Sequence, residues 1–193
     1  MPVKSPSHRL AAATAALLAG LALGACDQGR PSTSADAKPL SAGTELDDAV
    51  ITTKVKSALL ADAQSKGGDT SVETRKGEVL LSGFVDDRAQ AEREVALAKA
   101  VEGVHSVDDK LMIKDGKASA GAVLDDSVVT VKVKSALVAD DLTKANEISV
   151  TTNKGVVQLS GFVDNADQQQ RAEVVAHGVE GVQNVVNDTR VKK

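Results

Sequence analysis

The sequence contains no tryptophan or tyrosine, only two phenylalanines (Phe84 and Phe162), and a single cysteine, Cys26. Without large aromatics a core must be built from Val, Leu, Ile and Ala, which suits small, close-packed units of mixed helix and sheet. A lone cysteine excludes an internal disulfide. The missing Trp and Tyr also remove the side chains that usually anchor a protein at a lipid–water interface. Basic charge is short as well, with 23 Lys and Arg against 27 Asp and Glu. An acidic chain lacks the basic face that nucleic acid requires.

Lys4, His8 and Arg9 precede an apolar run from Leu10 to Leu23. The run is too short and Ala-rich for a comfortable membrane span but has the length of a signal-peptide core. It ends in Leu23, Gly24 and Ala25 before Cys26, which resembles the bacterial lipobox. The resemblance implies that residues 1–25 are a lipoprotein signal peptide and that Cys26 becomes the lipidated first residue; the alternative is an ordinary secretory signal with a stray thiol. Acyl chains anchor by burying CH₂ groups at roughly 0.8 kcal/mol each, so the folded part needs no membrane-seeking surface of its own. Cleavage removes Lys4 and Arg9 and leaves 21 basic against 27 acidic residues, a net charge of −6. The expected location is the periplasm, lipid-anchored to the inner or outer membrane; Asp27 resembles the inner-membrane retention signal of enteric lipoproteins.

Residues 26–45 are rich in Ser, Ala, Pro and Gly and read as a flexible tether. Beyond them the chain repeats itself at an offset of 78, from Asp47 against Asp125 to Lys114 against Lys192, without a gap. About half of the positions are identical, which is duplication within one chain. The strongest blocks are KVKSAL (from Lys54 and Lys132), LSGFVD (from Leu81 and Leu159) and VEGV (from Val101 and Val179). The expected layout is therefore a first domain at 46–114, a short linker at 115–124 and a second domain at 125–193, two beads on a tethered string.

Each copy tests a reading of the other. The stretch SVVTVKVK at 127–134 alternates like a strand, but its counterpart AVITTKVK at 49–56 does not. Ile51, Val55, Ala58 and Leu59, and likewise Val129, Val133, Ala136 and Leu137, recur at helical spacing in both. Helix is therefore expected, with Asp47 or Asp48 and Asp125 or Asp126 as N-caps. Short β-rich runs follow at 71–74 and 149–152, ending at Lys76-Gly77 and Lys154-Gly155, where a hairpin turn needs positive φ. The returning strands place Val79, Leu81, Gly83 and Val85, and Val157, Leu159, Gly161 and Val163, on one face. Asp87 with Gln90, and Asn165 with Gln168, start a second helix that Gly103 and Gly181 are expected to stop. A last strand runs through Val107 and Leu111, and through Val185 and Val191. The predicted class is α+β, each unit α-β-β-α-β with two helices on one face of a small three-stranded sheet.

The opening helix with KVKSAL, the G-x-V-x-L-x-G-x-V strand (Gly77, Val79, Leu81, Gly83, Val85; Gly155, Val157, Leu159, Gly161, Val163) and the later G-V-x-x-V (Gly103, Val104, Val107; Gly181, Val182, Val185) resemble the BON domain of bacterial envelope proteins. The resemblance covers both repeats and implies tandem BON domains, each with a mixed sheet. It implies a non-enzymatic role in envelope maintenance and osmotic stress, through contact with phospholipid membranes or, alternatively, chaperone-like binding of periplasmic or outer-membrane clients. It implies no cofactor.

Residue chemistry points the same way. His105 aligns with Gln183 and His177 with Lys99, so neither His is duplicated, and no metal-ligand spacing is present. Ser82-Gly83 and Ser160-Gly161 lack a G-x-S-x-G frame, and the glycines of LSGFVD read as sites of close helix-on-sheet packing. The candidate binding residues lie on the outward side of the second repeat's first helix: Val128, Val131, Lys132, Lys134 and Val138. Val131 replaces Thr53 there and makes an apolar strip edged by lysines, as in surfaces that meet membranes or partners. Packing of that strip against the other repeat is the competing reading. Phe84 and Phe162 point away from the Val/Leu face and are expected to join the repeats or grip a client.

Overall fold

The structure, a computed structural model, describes residues 42–65, 67–116, 119–143 and 147–193. Cys26, the signal segment and nearly all of the tether lie outside the described residues. The elements are α1 (Ala42–Ala61), β1 (Thr70–Arg75), β2 (Glu78–Val85), α2 (Arg88–Lys99) and β3 (Ser106–Ile113), then α3 (Ala120–Ala139), β4 (Ile148–Asn153), β5 (Val156–Val163), α4 (Ala166–His177) and β6 (Asn184–Val191). Both repeats are thus α-β-β-α-β. Each sheet is mixed: β2 pairs antiparallel with β1 and parallel with β3, and β5 does the same with β4 and β6.

The helical spacing seen in the sequence builds the cores. Ile51, Val55 and Leu59 of α1 pack with Val72, Val79, Leu81 and Ala98; Val129, Val133 and Leu137 of α3 pack with Val150, Val157, Leu159 and Ala176. Asp87 and Asn165 cap α2 and α4 by accepting from the backbone N–H of Gln90 and Gln168 at 2.8 Å. Those glutamines also reach back, accepting from the N–H of Asp86 and Asp164, and donate to the carbonyls of Ser65 and Thr143. Arg93 grips Asp62 at the end of α1, and Arg171 grips Asp140 at the end of α3, each holding its carboxyl below the usual carboxylate range.

Several expectations are corrected. Asp48 and Asp126 are not N-caps, because the helices begin earlier, at Ala42 and Ala120, and Ser119 caps α3. Residues 42–45 and 120–124, read as tether and linker, are helical. From within the helices the two carboxylates instead reach the hairpin turns: Asp48 accepts from the N–H of Lys76 and Gly77, and Asp126 from Lys154 and Gly155, at 2.6 and 2.8 Å in each copy. Both turn residues have positive φ (Lys76 51°, Gly77 74°), the two-residue turn that matches strand twist. The second helices end at Lys99 and His177, before Gly103 and Gly181. At Gly83 (φ +130°) a Cβ would meet the carbonyl oxygen of Asp69 at 2.5 Å, so the close approach is to the backbone entering β1 and not to a helix.

The repeats are not separate beads: the described residues of both belong to one compact unit. Their sheets stack through the faces turned away from the helices. Ser71 and Ser149 hydroxyls meet at 3.1 Å, Ser82 and Ser160 at 2.6 Å, and Lys110 pairs with Asp188 at 3.6 Å. In register, Ser71, Ser82 and Lys110 form one rung of the first sheet, and Ser149, Ser160 and Asp188 the same rung of the second. Residues that each face their own counterpart lie on a two-fold axis, so the contact has the geometry of a symmetric dimer inside one chain. Leu80 and Phe84 are buried on this back face. Gln158, where the first repeat has Leu80, is buried too; it accepts from the N–H of Gly83 at 2.8 Å and donates to the carbonyl of Lys110 at 2.7 Å.

Candidate functional site

On α3 the 3.6-residue period that sends Val129, Val133 and Leu137 inward leaves Val128, Val131, Ser135 and Val138 along the opposite side. That side is uncovered: Val128 is 50% exposed, Val131 64% and Val138 69%. The strip is therefore not packed on the first repeat. Lys134 borders it on one flank and Lys132 on the other, both exposed. The Lys132 ammonium lies 3.2 Å from Glu180, a pair between exposed side chains that contributes little and leaves the lysine free to turn. Beyond the helix, Leu142 is also exposed, at 67%. No helix among the described residues is long and apolar enough to cross a membrane.

The five residues singled out in the sequence are thus brought together on one helix, and the first repeat offers a weaker version. On α1, Val50 and Leu60 are exposed, but Thr53 stands where Val131 does, and its hydroxyl donates to the carbonyl of Ala49 at 2.9 Å. Beside Val128 and Lys132 a groove of about 510 Å³ opens between α3 and the β4–β5 turn, lined also by Asp125, Lys154, Glu180 and Gln183. Sequence reasoning did not find this groove, because its far wall comes from residues some 30 to 60 positions downstream. Phe84, only 5% exposed, lines a cleft with Val123, Ser127 and Thr130 of α3, and Phe162 lines one with Ala49 and Thr52 of α1. Each aromatic therefore joins the repeats. His105, at the surface, sits with its Nδ1 3.2 Å from the carbonyl of Lys76 and braces the first hairpin turn.

The BON domain matches residues 47–115 and again 125–193, the two units just described. The chain belongs to the BON-domain family. It is 46% identical over 151 residues to osmotically-inducible protein Y of Escherichia coli (strain K12), covering 78% of this chain and 75% of that protein. It is 34% identical over 149 residues to the outer membrane lipoprotein DolP of Haemophilus influenzae, covering 77% and 76%. A 21 kDa hemolysin of Actinobacillus pleuropneumoniae is 36% identical over 149 residues, with the same coverage of 77% and 76%.

Proposed function

We propose that this protein is a non-enzymatic binding module of the bacterial envelope, held in the periplasm by a lipid on Cys26, that contacts phospholipid membranes through the outward face of α3. The observation that carries the reading is the exposed strip of Val128, Val131 and Val138 between Lys132 and Lys134. Apolar burial contributes about 25 cal/mol per Å², and each lysine near an anionic surface about 1 kcal/mol. Neither contribution suffices alone; combined on one helix they give reversible, salt-sensitive attachment by an otherwise acidic chain. The envelope and osmotic-stress setting is supported by relatives named for osmotic induction and for an outer-membrane lipoprotein.

The test is the double change Val131→Glu with Lys134→Glu in the anchor-free chain, checked for folding by circular dichroism. Flotation with anionic liposomes should fall about tenfold or more, and added salt should weaken the parent in the same way. Retained flotation together with retained suppression of client aggregation in a folded variant would remove the strip from the function. Unchanged flotation with lost suppression of client aggregation would turn the reading to a chaperone-like binder. For the anchor, Cys26→Ser should leave an uncleaved precursor or a soluble periplasmic form; a cleaved variant that still sediments with membranes would refute lipidation.

A further inference from the structure

The contact between the repeats has two-fold geometry but not two-fold chemistry. Ser71 with Ser149 and Ser82 with Ser160 are identical pairs, which a like-with-like pairing would tolerate. On the same rung Lys110 meets Asp188, its own counterpart with the opposite charge. Off the axis, Arg190 of β6 pairs with Asp108 of β3 at 2.8 Å and with Glu78 of β2 at 2.7 Å. The counterparts of Arg190 and Asp108 are Met112 and Val186. A first repeat facing another first repeat would set Lys110 on Lys110 and leave Asp108 beside Met112. Two second repeats would set Asp188 on Asp188 and Arg190 beside Val186. Every off-rule pairing thus brings like charges together or strips a charge of its partner, which is how an interface selects by repulsion as well as attraction.

We infer that the back face of each sheet is a heterotypic docking surface whose pairing rule is set by Lys110 with Asp188 and Asp108 with Arg190, and that its second partner is another copy of this chain, joined by reciprocal exchange of repeats. The argument is charge complementarity and symmetry: what the first repeat recognises is carried by every other chain, and two exchanged contacts reproduce the one seen within a chain. The exchange keeps every described element intact, because β3 ends at Ile113 and α3, the first element of the second repeat, begins at Ala120. Exchange through a short connecting segment is a low-cost route to a dimer.

The experiment uses two full-length, anchor-free chains, one with Lys110→Asp and one with Asp188→Lys. Each alone carries like charges on the axis. Mixed, unfolded together and refolded, they restore both opposite-charge pairs between chains and neither within a chain. Light scattering on the separated species should show a dimer containing one chain of each kind, enriched about tenfold over either variant alone at equal total concentration. The chain carrying both changes should return to the parent's monomer–dimer balance. No mixed dimer, or equal dimer in every sample, would overturn the inference. If either single variant fails to fold, Asp108→Arg with Arg190→Asp repeats the design at the second pair, and failure there to give a mixed dimer would be equally decisive.

Discussion

Glu94 is a fully buried carboxyl that the second repeat manages without. Its oxygens accept from the Thr70 hydroxyl at 2.6 Å and from the Gln90 amide at 2.8 Å. In the other copy Ala172 stands in place of Glu94 and Ile148 in place of Thr70, both buried and apolar. Burial pushes the Glu94 carboxyl above its ordinary value of 4.5; the hydrogen bonds from Thr70 and Gln90 oppose this, and the carboxylates of Asp69 and Asp109 reinforce it. The folded state therefore prefers the protonated acid. That contribution is complete below about pH 4.5 and is lost as pH rises through the raised folded value, at about 1.4 kcal/mol per unit of displacement. Transplanting the second repeat's solution, Thr70→Ile with Glu94→Ala, should remove this loss. In urea unfolding from pH 4 to 8 the difference between variant and parent should move in the variant's favour as pH rises above about 4.5 and level off once pH has passed the raised folded value, with Asp62 and Asp140 cancelling between the two curves. Parallel curves would show that Glu94 ionises in the fold without cost.

At the scale of elements, the opening helix of each repeat is a clamp for the hairpin behind it. A lysine at positive φ is an uncommon turn residue, and the helix carboxylate that collects both turn N–H groups holds it there. Asp126→Ala should cost on the order of 1–3 kcal/mol in urea unfolding, because two N–H groups lose a charged acceptor, while Asp126→Asn should cost less. An equal cost for both would mean the turn is held by its own backbone. This clamp also explains what local pattern could not show. An Asp pair ahead of an apolar stripe looks like an N-cap, and its true partners lie 28 and 29 residues away. The helical character of 127–134 was legible only because the first copy, at 49–56, breaks the strand-like alternation, and the α3 strip followed because outward direction depends on period alone. The sheet backs were legible only at Phe84 and Phe162, which are expected from the sequence to join the repeats or grip a client. Leu80 and Ser82 alternate with the core residues on the same strand, and nothing local says that a second sheet covers them.

At the scale of the molecule, the buried face that links the repeats differs in kind from the contact between neighbours in a solenoid. There each unit has two unlike faces and the stack can lengthen indefinitely. Here each unit has one docking face, and pairing uses it up. Such a contact closes at two. Further duplication of this module would leave a third unit with its sheet back bare, while a fourth could cover it. Growth of the architecture by whole units therefore proceeds evenly in twos, and a chain with an odd number of units must borrow its last partner from another molecule.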